Sequence, residues 1–225
     1  MKTRSGLVAL AAGALALTGC SASNSPSSTP GGGSGQVVDG ATFTMAIAGD
    51  PGALDPATAV NGSTNLLLSF AYDTLVHTDR NNKLVSGLAT KWDVTPNSVK
   101  FTLAKGATCS DGSPVTAGDV AKSINRVVDP NTHSPLLGVL IPPDVSAKGD
   151  DGAHTVTLTT KTPSPFLLQS TAAILIVCGK GLSDPSILAK QTSGSGPFEL
   201  VEATPNDHYT LKARPGYTCL EFEDA

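Results

Sequence analysis

Aromatic side chains are scarce in this 225-residue sequence: one tryptophan, three tyrosines and six phenylalanines make up 4% of it. A cleft that stacks sugar rings on flat aromatic faces has little to draw on, which argues weakly against a carbohydrate ligand. Positive charge is also short, with 15 Lys and Arg against 19 Asp and Glu and no basic stripe. Nucleic acid is therefore excluded as a partner, because neutralising phosphates needs clustered cations. The sequence has no Gly-x-Ser-x-Gly, no His-Glu-x-x-His, no phosphate loop and no dinucleotide fingerprint. An enzyme is not expected, and neither a catalytic residue nor a cofactor is implied. His77, His133, His154 and His208 are scattered through segments that read as surface strand or loop. None of the four cysteines forms a Cys-x-x-Cys pair, so zinc or thioredoxin-type chemistry has no support. No apolar run reaches the roughly 20 residues of a permanent membrane-spanning helix.

The most informative run that is present opens the chain. Lys2 and Arg4 precede an uncharged stretch from Gly6 to Leu17, which closes in Leu17-Thr18-Gly19-Cys20. A basic start, a short apolar segment and small residues before a cysteine are the pattern of a lipoprotein export signal. Residues 1–19 read as a signal peptide and Cys20 as the lipidated first residue of the mature protein. Ser21 to Gly35 holds only Ser, Ala, Asn, Pro, Thr and Gly, so residues 20–40 form a solvated tether with nothing able to bury surface. Without Lys2 and Arg4 the mature chain carries 13 basic against 19 acidic residues, a net charge near −6. The expected location is the extracytoplasmic face of the cell membrane, held by lipid, where Cys109, Cys178 and Cys219 are free to form disulfides.

Beyond the tether, strands and helices are mixed. Thr42 to Ala48 alternates polar and apolar residues as a strand does, and Gly49-Asp50-Pro51-Gly52 stops it. Ser63 is placed to cap a helix running to about Leu75, and Asp79 to Asn82 marks a turn. A hairpin joins Trp92-Val94 to Val99-Leu103 across Thr95-Pro96-Asn97-Ser98. Thr116-Ala117-Gly118-Asp119 resembles a capping box, and Val120, Ile124, Val127 and Val128 make one apolar stripe that Asp129-Pro130 ends. His154 to Thr159 is an alternating strand, Phe166 to Ala172 a short helix, and Ile174 to Cys178 a short apolar strand. A last short helix begins at Asp184-Pro185, and two strands, Phe198 to Ala203 and Tyr209 to Ala213, flank Pro205-Asn206-Asp207. The pattern has no internal repeat and argues for a mixed α/β, or α+β, lobe.

Taken in order, four segments resemble the extracytoplasmic solute-binding proteins of peptide- and nickel-type ABC importers, the family of oligopeptide- and dipeptide-binding proteins. They are Gly49 to Pro56 with the helix ending in Tyr72-Asp73-Thr74-Leu75-Val76, Leu84 to Trp92, Val99 to Gly106 continuing through Ser110 to Val120, and Gly194-Ser195-Gly196-Pro197-Phe198. The third is the most specific; the match runs over roughly residues 41–217, and the partial solute-binding domain is read as residues 41–218.

The resemblance implies a fold like the type II periplasmic binding proteins, here the first lobe only, without the second. It also implies a function: capture of oligopeptides or dipeptides and delivery to a membrane permease and its ATPase by a monomeric lipoprotein. A binder of another solute, such as a nickel chelate or a sugar, is an alternative, as is a lipid-anchored surface module without transport function. Family chains are much longer, and Cys219 to Ala225 does not continue their pattern, so residues 219–225 read as an atypical tail, the mark of a frameshift or early stop. One wall of a two-walled cleft is not expected to hold peptide tightly, since clefts bury about 70–90% of a ligand.

The motif positions carry mainly structural duties: Asp111-Gly112 a tight turn, and Gly194 and Gly196 backbone freedom. Asp50, Asp55, Ser110, Asp111 and Ser195 are the candidates for the cleft face. Asp50, Asp55 and Asp111 could also serve as acid and base, though each lies beside Gly or Pro, where Asp commonly makes turns. Cys109 and Cys178 both depart from the family pattern, and a disulfide between them is expected. Pairing with Cys219, or two buried free thiols, are the alternatives.

Overall fold

The computed structural model describes residues 40–217. The signal, Cys20, the tether and the tail 219–225 lie outside these described residues. Residues 45–217 belong to one compact unit, and residues 40–44 to a separate N-terminal one.

Hydrophobic alternation builds the main sheet. Strands β1 (Val76–Thr78) and β2 (Leu84–Ser86) form a small antiparallel pair. They are followed by β3 (Ala89–Thr95) and β4 (Ser98–Leu103), joined by the expected tight turn. With β5 (Ser146–Asp150) and β6 (Thr155–Thr159), these make an antiparallel sheet of order β3-β4-β6-β5. Val99, Phe101 and Leu103 of β4 point inward while Lys100 and Thr102 face water. Register places Phe101 opposite Val156 and Val99 opposite Leu158, so one face of the sheet is continuously apolar. Helix α2 (Ala117–Val128) lays its stripe of Val120, Ile124 and Val127 on that face. Each fully buried side chain of this size contributes about 1.5–3 kcal/mol. Thr116 caps α2 by accepting from the Asp119 amide at 2.9 Å, and Asp151 accepts from the Gly118 amide at 2.8 Å. Among the described residues the Asp119 carboxylate returns no bond to Thr116, so the capping box is half formed.

A second cluster gathers Leu54, Leu67, Leu68, Ala71, Tyr72, Val177 and Leu188. It rests on α1 (Gly62–Ala71), whose cap is Asn61 rather than Ser63, and which ends four residues before Leu75. Helices α3 (Leu167–Ser170) and α4 (Gly179–Ser183) are single turns, and the last hairpin is β7 (Phe198–Thr204) with β8 (His208–Ala213).

Two expected strands do not form. No strand is present at 42–48, because a strand needs a neighbour for its backbone groups and none among the described residues pairs there. The segment 174–178 is extended but joins no sheet. Ile176 donates to the Asp73 carbonyl at 2.9 Å and Cys178 to the Ser193 carbonyl at 2.7 Å, while the Ser123 hydroxyl of α2 bridges both backbone groups of Val177 at 3.0 Å. Its polar groups are satisfied by three different partners instead of by a ladder.

Candidate functional site

The five candidates for the cleft face do not all converge on one place. Asp50 accepts from the Gly52 amide at 2.7 Å, from the Tyr209 hydroxyl at 3.0 Å and from the Asn206 amide. The amides of Asn206 and Gly52 hold its carboxyl below the usual range. Asp50 therefore ties the first loop to the β7–β8 hairpin. Asp55 is buried, accepts from the Ala57 amide at 3.0 Å and forms a two-pronged ion pair with Arg126 of α2, one arm at 2.6 Å. Its oxygens are committed to these partners inside the fold. Asp111 accepts from the Ser113 hydroxyl at 2.6 Å and amide at 3.0 Å, bonds that lower its carboxyl. It shapes the exposed turn in which Gly112 takes a φ of +82°. These carboxylates do not lie together as an acid and base.

The Cys109 and Gly194 loops, by contrast, are brought together. Cys109 and Cys178 are joined by a disulfide, with Cα atoms 6.1 Å apart and both residues buried. Ser110 donates its amide to the Gly194 carbonyl at 2.9 Å. The guanidinium of Arg214 collects carbonyls from both loops: Ser195 at 2.7 Å, Gly196 at 2.9 Å, Thr108 at 2.9 Å and Cys109 at 2.7 Å. Sequence reading missed Arg214 and Arg126, since nothing in the local pattern of an isolated arginine says which distant groups it will meet.

Gly194 and Gly196 serve close approach rather than unusual torsion. Neither has a positive φ, but a Cβ at Gly194 would stand 2.2 Å from the Ala71 carbonyl oxygen, and one at Gly196 would stand 2.6 Å from the Ala71 carbonyl carbon. The loop thus lies directly on the end of α1, where the Gly196 amide donates to Ala71 at 3.0 Å and the Ser193 amide to the Tyr72 hydroxyl at 2.9 Å.

This arrangement carries Ser195 into a cavity of about 220 Å³, lined among others by Asp73, His77, Gly87, Gly106 and Tyr217. Asp73 is 7% exposed. Its Oδ1 accepts from the Tyr217 hydroxyl at 2.9 Å. Burial pushes the carboxyl above its ordinary value, although Tyr217, Ser195, His77 and Arg214 all favour the charged form. Ser195 is 2% exposed, and its hydroxyl stands beside this carboxylate without completing a hydrogen bond. His77 is half-buried, which corrects its reading as a surface residue. The Thr74 hydroxyl donates to the Val76 carbonyl at 2.7 Å, so the 3.2 Å contact with His77 assigns the proton to Nδ1. The other three histidines are exposed. Asp73 and His77 were missed as site residues because the burial that makes them unusual comes from strands distant in sequence.

A second depression exposes Val139, Leu140 and Phe166 and supplies apolar surface without a charged group. Among the described residues no group of three or more His, Cys, Asp or Glu side chains could hold a metal ion. No helix among them is long and apolar enough to cross a membrane.

Comparison with known proteins fits this architecture. The periplasmic murein peptide-binding protein MppA of Escherichia coli is 29% identical over 201 residues, covering 75% of this chain and 36% of that protein. Protein XP55 of Streptomyces lividans is 30% identical over 228 residues, covering 96% of this chain and 39% of its own length. A substrate-binding protein from Microbacterium hydrocarbonoxydans, solved with 4-hydroxybenzoate hydrazide, superposes with a TM-score of 0.67 at 31% identity, over 75% of this chain and 36% of that one. The chain thus spans a little over a third of the length of the relatives it matches. With residues 83–221 matching the family model described as bacterial extracellular solute-binding proteins, family 5 Middle, the chain belongs to the family 5 extracellular solute-binding proteins.

Proposed function

We propose that this chain belongs to the solute-capturing component of an ABC importer, a monomeric lipoprotein anchored through Cys20 that takes up oligopeptides or dipeptides and presents them to a permease and its ATPase. The observation that carries the reading is membership of a family whose relatives include murein peptide-, dipeptide- and oligopeptide-binding proteins. On this reading residues 1–19 are removed on export, 20–40 form the tether, and 41–218 supply one wall of a cleft that closes over solute by hinge motion. The ligand main chain is held by backbone hydrogen bonds, and its side chains fill wet, tolerant pockets. A small aromatic hydrazide is a second solute class, supported by the ligand in the Microbacterium structure.

Deleting the gene tests the role. Uptake of a labelled tripeptide pool is expected to fall and to return with the wild-type gene; unchanged uptake would refute peptide import. Cys20→Ala is expected to release the protein from the membrane fraction, and quantitative retention after a salt wash would place the anchor elsewhere.

A further inference from the structure

We infer that the Asp73 cavity is a binding site for a primary ammonium group, with the carboxylate of Asp73 as counter-charge and the Ser195 hydroxyl as a second acceptor. The site deepens the solute-binding reading and rests on it only for the biological source of the amine.

Four observations converge on this chemistry. Asp73 is buried to the extent of 93% of its surface, and of its two oxygens only Oδ1 carries a completed hydrogen bond among the described residues, from Tyr217. A carboxylate buried to this extent is costly unless donors or a cation compensate its charge. Ser195 Oγ is fully buried at the wall of the same cavity and is the buried side-chain polar atom without a partner among the described residues. A hydroxyl in that state accepts from an ammonium as readily as it donates to a carboxylate.

The positive groups nearby do not already fill the role. The guanidinium nitrogens of Arg214 are spent on carbonyls of Thr108, Cys109, Ser195 and Gly196 and on the Thr108 hydroxyl. His77 donates through Nδ1 to Thr74, so that proton is not directed at Asp73. Lys105 lines the cavity but is exposed, with its charge free to remain in water. Burial outweighs all the charge-favouring contacts of Asp73 together, so the anion remains under-compensated, as expected of a carboxylate awaiting a cationic partner. A volume of about 220 Å³ admits an aminomethyl or aminoethyl group, whereas a quaternary ammonium has no N–H to give to the Asp73 carboxylate or the Ser195 hydroxyl. Gly87 and Gly106 also line the cavity.

One chemistry has two sources here, a free small amine and the amino end or lysine side chain of a peptide. The test uses the whole mature chain, ¹⁵N-labelled, titrated with methylammonium chloride and, as control, with tetramethylammonium chloride at equal ionic strength. Methylammonium is expected to give saturable amide shifts at Gly87, Gly106 and Ser195, and tetramethylammonium none. Asp73→Asn should weaken binding by about tenfold or more, the loss that accompanies removal of a charged acceptor. Ser195→Ala, which keeps the Tyr217–Asp73 bond, should weaken it about threefold to tenfold; it serves as the folded comparison if Asp73→Asn melts early. Absence of saturable methylammonium shifts at these residues, or equal shifts with both salts, would overturn the site. Trialanine and N-acetyl-trialanine then separate the sources: discrimination against the acetylated peptide assigns a peptide amine, and equal behaviour of the two, with methylammonium still bound, assigns a free amine. In the latter case the ammonium site stands even if peptide import fails.

Discussion

Replacing both cysteines of the Cys109–Cys178 pair with alanine should cost this fold a large part of its stability. The bridge links positions 69 residues apart. In the chain-entropy description, closing a loop of that length removes about 4 kcal/mol of freedom from the unfolded state. Domains of this size have only about 5–15 kcal/mol in total, and each kcal/mol moves the melting midpoint by about 2–4 °C. The double variant Cys109→Ala/Cys178→Ala is therefore expected to melt about 8–16 °C below the wild type. Both positions must be changed together, since a single replacement leaves a buried unpaired thiol. Calorimetry or circular dichroism in non-reducing buffer reads the midpoint, and peptide mapping without reductant reads the bond. A midpoint within a degree or two of wild type would refute the argument, as would alkylation of both cysteines in denaturant before any reductant is added.

Three further outcomes follow from the geometry. Arg126→Met strands the buried Asp55 carboxylate and should destabilise by about 2–3 kcal/mol in urea titration, a buried-pair cost reduced for partial exposure; adding Asp55→Asn should restore part of it, and strict additivity would contradict the ion pair. Gly196→Ala places a methyl against the Ala71 backbone and should cost about 3 kcal/mol, whereas Gly62→Ala, in open space at the start of α1, should be neutral or slightly stabilising; equal midpoints would refute the close approach. Because the carboxyl of Asp73 is raised by burial, the folded state holds its proton more tightly than the unfolded chain, so stability is lost as pH rises from the ordinary carboxylate range through the folded value. Asp73→Asn should accordingly gain on wild type over that rise, and a stability difference independent of pH would exclude the effect.

What the sequence made legible was local and periodic. The stripe Val120, Ile124 and Val127 required only a 3.6-residue repeat and a capping threonine, and β4 with β6 required only alternation. The family's motif order showed through for the same reason, because turns such as Asp111-Gly112 are written in adjacent residues. Strand β5 was not legible: Ser146-Ala147-Lys148-Gly149-Asp150 lacks strand formers and is chosen by packing. Gly149 must pass beneath the start of α2, where a Cβ would meet the Ala117 carbonyl at 2.2 Å, and the Asn125 side chain bonds both backbone groups of Ala147 at 2.8 and 2.9 Å. The site suffered the same limit. Asp50, Asp55 and Asp111 stand out in sequence because they flank Gly and Pro, which is also why they are engaged in turns and internal bonds. Asp73 looks unremarkable in Tyr72-Asp73-Thr74, and only the third dimension puts Ser195 and Tyr217 beside it.

The five bonds of Arg214 have a consequence for the order in which the chain can acquire its form. The carbonyls it gathers belong to residues 108, 109, 195 and 196, all of which precede it in the chain. A polypeptide is made from its N-terminus, so the β3-β4-β6-β5 sheet and α2 can collapse once residue 159 has been added. The loops that Arg214 ties have no such freedom. They can approach one another early, but their carbonyls stay without this common donor until the last strand has been made. Chain growth is thus divided into an early stage that buries the sheet and a late stage that locks the loops.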